Sequence, residues 1–286
     1  MEKLTQAELD DLTVLLRRLS KIDEWLGLVS SDQPSGAWQV HPRSPLATDN
    51  NRTHPYQVSQ RAWMALNVAV DFLHCLRRSL SQVSQDKVNV WLHPYAQLGL
   101  VRGAIENACC AIWLVGPSRL ERITNRLSLE WRELADSYRL RELAGTQPPR
   151  TRQEREQQLV SLLLATNFPY TVREGHDPQA EAERAARATL RGAGYARMVR
   201  RAGELVPAIG ADRAEATWKM CSALAHGDAS ATLGLLSSEV LEQVQPGIKL
   251  VKVALPVQLL MSAGLITITL IDTAFDLFKK WAQAHY

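Results

Sequence analysis

Cysteine, lysine and phenylalanine are scarce in this chain of 286 residues, and the sites that many enzymes are built on are absent. The four cysteines, Cys75, Cys109, Cys110 and Cys221, form no C-x-x-C pair, and no Cys/His set has zinc-ligand spacing. That excludes a disulfide-stapled scaffold and the common zinc modules. All four lie in apolar helical surroundings, where a free cysteine acts as a small hydrophobe. A reducing, cytoplasmic compartment is the expectation. No glycine loop suited to cradling phosphate, no nucleophile elbow and no H-E-x-x-H occurs, so no cofactor and no metal are expected. Only eight of the 33 basic residues are lysine, which reads as codon bias of a GC-rich genome. A net charge of +3 is too small to diagnose a nucleic-acid binder. The polar opening Met1-Glu-Lys-Leu-Thr-Gln6 has no apolar signal core.

One run lacks charge altogether. Val253 to Ile271 is long enough to span a bilayer. It also holds Pro256, Gln258, Ser262, Thr267 and Thr269, and it runs on into Asp272 and Asp276. Leu255, Leu259, Ile266, Leu270, Leu277 and Trp281 recur at helical spacing on one side, which predicts a buried core helix and no membrane contact.

What is present is helical pattern nearly throughout. Thr5-x-x-Glu8, Ser118-x-x-Glu121, Thr151-x-x-Glu154 and Asp212-x-x-Glu215 read as helix starts, and Asp177-Pro178 as another. The first helix is expected to run unbroken to about Val29, with a long loop from Ser30 to Pro55. Further helices are expected over about 56–83, 90–115, 118–143, 151–167, 177–191, 212–226, 238–244 and 256–284. Gly116-Pro117 stops the third of the long ones. Ile248 to Leu255 is the one plausible strand, with no evident partner. The fold class is therefore all-α: a single bundle of about seven or eight helices, with a polar, Arg-rich insertion over 145–212.

Two constellations can carry chemistry. Arg102 and Glu106 sit four apart inside the most apolar helix of the chain. Charges there are costly unless paired. They either register the helices as an ion pair or face a cleft, with Arg102 binding an anion and Glu106 orienting it. The second is Trp218-Lys-Met-Cys-Ser-Ala-Leu-Ala-His-Gly227, where His226 closes a helix and shares a face with Lys219 and Ser222. His226 either caps the last carbonyls or does acid/base work on a phosphodiester, with Lys219 or Arg102 holding the phosphate. The tryptophans within helices read as core anchors.

A helical bundle with a basic residue several positions before a late-helix histidine resembles the HEPN superfamily. The family signature is an arginine, four to six residues, then a histidine. Here His226 matches, Lys219 stands six intervening residues before it in place of the arginine, and Met220 replaces the usual polar residue. The resemblance implies a small helical bundle, often a metal-independent ribonuclease or RNA-binding partner in defence or toxin–antitoxin systems, with two motifs meeting across a homodimer.

Basic patches add a second theme. Arg184, Arg187 and Arg191 share a helix face, and with Arg197, Arg200 and Arg201 they make six arginines without an acid between them. They read as a solvated face or as a surface for RNA, DNA or an acidic protein partner. Arg119, Arg122 and Arg126, near Glu121, Glu130 and Glu133, read as a salt-bridged surface face. Three functions stay open: RNA cleavage through His226, a non-catalytic interaction protein, and a small-molecule sensor with a pocket beside Arg102 and Glu106.

Overall fold

The computed structural model describes residues 4–29, 36, 38–84, 87–116 and 118–284. Among them the chain forms twelve helices and two antiparallel hairpins. The helices are α1 (Gln6–Leu19), α2 (Ile22–Val29), α3 (Pro45–Thr53), α4 (Val58–Leu80), α5 (Ala96–Val115) and α6 (Arg119–Leu143), followed by α7 (Arg152–Leu164), α8 (Pro178–Leu190), α9 (Tyr195–Glu204), α10 (Ala211–Ala225), α11 (Ala229–Leu235) and α12 (Val257–Ala282). The hairpins are β1–β2 (Ser81–Ser84 with Lys87–Val90) and β3–β4 (Ser237–Gln245 with Ile248–Ala254).

α5 is the axis of the bundle. It is apolar on almost every face, so it must be covered on every side, and α4, α12, α10, α9 and α6 all pack on it. Val101, Ala104, Ile105, Ala108, Cys109 and Ile112 are fully buried. The Phe72 ring of α4 lies over Gly103, where a Cβ would stand 2.6 Å from it. Gly103→Ala therefore displaces that ring, and we expect a loss of about 1–3 kcal/mol in urea unfolding. Among the described residues, α5 and α12 are the two helices long and apolar enough to cross a membrane. In this fold they pack on each other at the centre of the bundle, as the one-sided pattern of α12 predicts.

Local signals act where they were expected to. Thr5 and Glu8 form a capping box, with Thr5 N donating to Glu8 Oε2 at 2.8 Å. Ser118–Glu121 and Thr151–Glu154 do the same, and the Asp177 side chain caps α8. Pro117 lies outside the described residues, as do residues 1–3 of the polar opening.

Other expectations are corrected. The first helix breaks at Ser20, because α1 lies on α12 while the α2 face carrying Ile22 and Trp25 turns onto α4. The expected loop 30–55 contains α3, capped by Ser44 with Pro45 in its first turn. Of its two docking candidates, His41 N bonds Ala282 O at 2.9 Å, whereas Trp38 stays exposed. Residues 81–84 and 87–90, in the stretch expected to straddle two helix ends, pair as β1–β2. Ser238–Val244 is strand rather than helix and supplies the missing partner of Ile248–Ala254. Pro246 and Gly247, the latter at φ +83°, turn one strand into the other. Two bulges, at Leu241 and Val244, break the two-residue alternation and leave aliphatics three apart, a spacing that mimics a helix. Asp212 and Glu215 do not cap α10, whose N-cap is Gly210; both bond Arg200 instead.

The Arg-rich stretch 145–212 divides. α7 and α8 pack on α6 around a second, smaller core of Ile123, Leu127, Leu159, Leu163, Ala186 and Leu190. α9 joins the main core through Met198, Val199 and Ala202. Arg122 and Arg126 are buried, not a surface row. Arg122 Nε donates to the fully buried Asp49 of α3 at 2.7 Å, and its guanidinium lies over the Trp281 ring. Arg126 bonds Gln57 O and Glu130. Cys75 is exposed, contrary to the apolar setting expected for it, while Cys109, Cys110 and Cys221 are buried. Burial pushes the Cys110 thiol up to about 11 and that of Cys221 to about 12.

Candidate functional site

The site is made where α10 ends on α5. Ala214, Thr217, Cys221 and Leu224 form the buried stripe of α10. Its last turn closes with a Schellman motif: Gly227 N donates to Leu224 O and Asp228 N to Ala223 O, both at 3.0 Å. Gly227 takes the left-handed conformation (φ +69°) that this stop requires. His226 is thereby fixed as the C-cap with its ring exposed. The end of α10 comes down on α5 at Gly99, where a Cβ would stand in ordinary contact with the Ala225 Cβ at 3.7 Å.

One turn beyond Gly99 stands Arg102, and the two constellations meet. Arg102 Nη1 lies 2.9 Å from His226 Nε2. Arg102 Nε donates to Glu106 Oε1 at 2.9 Å. The same oxygen accepts from Trp218 Nε1 at 2.8 Å. Arg102 faces His226 and Glu106 faces Trp218, so the two helices run antiparallel here and four side chains form a chain of contacts across their interface. Arg102 and Glu106 are mostly shielded, with 26% and 13% of their side-chain surface exposed.

Chemically, the arrangement specifies a tautomer. A guanidinium only donates, so Nε2 accepts and the ring proton resides on Nδ1. Glu106 holds Arg102 through Nε, which leaves the Nη1 end able to turn toward an incoming anion without losing its anchor. Trp218 fixes the carboxylate that fixes the arginine. The sequence suggested Trp218 only as a core anchor, and the one available signal was its place on the same helix as His226.

Lys219 stands apart. It pairs with Glu215 at 2.8 Å, and Glu215 also takes Arg200. The Lys219 and Arg200 cations hold the Glu215 carboxyl below its usual range. The cation beside His226 is thus Arg102 from another helix. Ser222 contributes its backbone carbonyl to His226 N at 3.1 Å.

A ledge of aromatic rings precedes α5. Trp91, His93 and Tyr95 alternate outward from the segment before the helix and are all exposed, while Leu92 and Pro94 are half-buried. Trp91 and His93 stack with an interplanar angle of 10°. The buried Gln97 pins this segment, accepting from His93 N at 3.0 Å and donating to Trp91 O at 2.8 Å. Tyr95 and Arg102 are two turns apart on one stripe of α5, a separation of about 10 Å. Trp91 was expected inside a helix, and nothing in its local pattern betrays the extended segment.

The six arginines do not form a bare patch. Arg184 contacts Glu181, Arg187 contacts Gln157, and Arg191 lies 6.0 Å over the Trp131 ring. Arg197 donates to Gly192 O. Arg200 pairs with Asp212 and Glu215, and Arg201 with Glu204 and Glu121. The acids come from neighbouring elements, which the gap in acids along 184–201 conceals. Arg197, Arg200 and Arg201 line a cavity of about 650 Å³ between α6 and α9, floored by Trp113, Leu120 and Phe168. Arg102 and Glu106 do not line it.

Compared with known proteins, the chain matches no family model, no characterised protein and no solved structure. Among the described residues, no three His, Cys, Asp or Glu side chains converge as a metal set.

Proposed function

We propose that this protein is a HEPN-like ribonuclease that cleaves RNA without a metal, through His226 and Arg102. The observation that carries the reading is the 2.9 Å contact between Arg102 Nη1 and His226 Nε2 on an exposed helix end. An RNA phosphate that draws Arg102 Nη1 away frees Nε2 to take the proton of the neighbouring 2′-hydroxyl. The 2′-oxygen then attacks phosphorus and the P–O5′ bond breaks. The 5′-oxygen leaves with the proton that Nε2 took, handed on by the His226 imidazolium directly or through water. The products are thus a 2′,3′-cyclic phosphate and a 5′-hydroxyl, and the imidazole is neutral again. Arg102 balances the charge that builds on the phosphoryl oxygens, while Glu106 and Trp218 keep it in position. Lys219, tied to Glu215, contributes charge at the rim.

Single-stranded RNA fits the surroundings, because the ledge of Trp91, His93 and Tyr95 offers ring faces on the stripe that leads to Arg102. Each stacked base is worth about 1–3 kcal/mol. Trp91→Ala and Tyr95→Ala should each weaken binding of a single-stranded oligoribonucleotide by about 5- to 150-fold, with little change in kcat. Equal affinity of wild type and both variants in a fluorescence titration would remove the ledge from the site. A role in prokaryotic defence, stress response or mobile-element conflict, in the cytoplasm, accords with this chemistry.

The direct test incubates the protein with total RNA and with single-stranded oligonucleotides in the presence of a chelator, beside His226→Ala. Cleavage by wild type alone supports the reading; equal cleavage by both, or by neither, defeats it. A second reading has its own observation. The four-residue chain of contacts also ties α5 to α10, as it would in a non-catalytic protein that binds RNA or an acidic partner. In that case wild type and His226→Ala are both folded and neither cleaves RNA.

A further inference from the structure

The largest unexplained surface is the β3–β4 hairpin. All nine side chains of β3 are exposed. On β4, Val251 and Val253 are half-buried, and Val253 packs on the main core, so that face leans on the body. Ile248, Leu250 and Lys252 alternate with them and face outward. Each bulge sets two residues of β3 against one of β4. Leu241 thus joins Glu242 opposite Leu250, and Val244 joins Gln245 opposite Ile248. The outward face carries Leu241, Val244, Ile248 and Leu250, each at least 50% exposed. A two-stranded ribbon with an open apolar face is marginal in water by itself.

Its charges indicate what covers it. On this face the acids, Glu239 and Glu242, belong to β3 and Lys252 to β4, while Lys249 alternates to the opposite face. Glu239 and Lys252 lie opposite each other in the ladder. The bulges and lysines discourage addition of another strand at either edge, which leaves the face. The pattern is self-complementary in one arrangement only. A two-fold axis between stacked ribbons and parallel to the strands lays β3 of one chain over β4 of the other. Glu239 then meets Lys252, and Leu241 and Val244 meet Leu250 and Ile248. An axis across the strands would lay acid on acid.

We infer that this hairpin is a homodimer interface, two copies stacking their outward faces with β3 over β4. Leu233 and Leu235 of α11, exposed near the base of the ribbon, extend the apolar surface. The inference stands apart from the RNA reading and survives its failure.

The test uses the whole chain in a Cys75→Ser background, since Cys75 is the exposed cysteine. Sedimentation should show a concentration-dependent dimer in wild type. Leu250→Lys should be monomeric with unchanged helical circular dichroism. Under mild oxidation, Leu241→Cys mixed with Leu250→Cys should give a disulfide-linked dimer far more readily than either alone. A monomeric wild type throughout the micromolar range overturns the proposal. So does an unaltered dimer in a folded Leu250→Lys, or self-crosslinking of the single variants as strong as that of the mixture.

Discussion

His226→Ala is expected to lose RNA cleavage by about 10²- to 10⁴-fold, the range carried by a positioned general acid or base. The ring is exposed and caps a helix that the Schellman motif at Gly227 already stops, so its removal should leave the fold intact. Arg102→Ala should cost about 10²- to 10³-fold, because the donor aimed at the developing phosphoryl charge goes with it. Arg102→Lys should recover little, since an ammonium cannot hold Glu106 through one nitrogen and reach phosphate with another. Glu106→Gln and Trp218→Phe act through Arg102 and should lower kcat more than they raise KM. Lys219→Ala should leave kcat unchanged, as its charge lies on Glu215. Single-turnover cleavage of a labelled oligonucleotide over a range of enzyme concentrations reads all six variants. A Lys219→Ala defect as deep as that of Arg102→Ala would put the cation on the wrong helix.

The second large effect concerns stability. Asp49 is fully buried in α3, Arg122 is almost so in α6, and they meet at 2.7 Å. Arg119 adds a second guanidinium at 3.4 Å from the other carboxylate oxygen. Removing one member of such a pair strands the other charge, at a cost of about 3–5 kcal/mol. Asp49→Ala should therefore lower the urea midpoint sharply. Asp49→Leu with Arg122→Met should be far milder than the two single losses added together, because no buried charge remains to be compensated and the half-exposed Arg119 can turn to water. If the double variant is as unstable as the sum, the pair is not acting as a unit.

These two sites also show what was legible. The capping boxes were, because each is completed within four residues. Arg102 and Glu106 were, because they interrupt an apolar helix, and His226 was, because Gly227 stops its helix. That His226 finds Arg102 rather than Lys219 was not, since it depends on where α10 crosses α5. α3 was hidden for a related reason. Its polar residues serve a tertiary pair, Asp49 with Arg122, and leave no apolar stripe to read. The β3–β4 hairpin was hidden by its own bulges, which shift Leu241 and Val244 out of strand alternation. The balance of the arginines over 184–201 was concealed because Glu121, Asp212 and Glu215 come from other elements.

The central claim is that the Arg102–His226 pair cleaves RNA through its own 2′-hydroxyl. The most direct measurement compares a single-stranded oligoribonucleotide with its 2′-O-methyl analogue, both in excess chelator, and identifies the product ends. The account predicts cleavage of the first only, leaving 2′,3′-cyclic phosphate and 5′-hydroxyl ends. Cleavage of both substrates, or of neither, would contradict it.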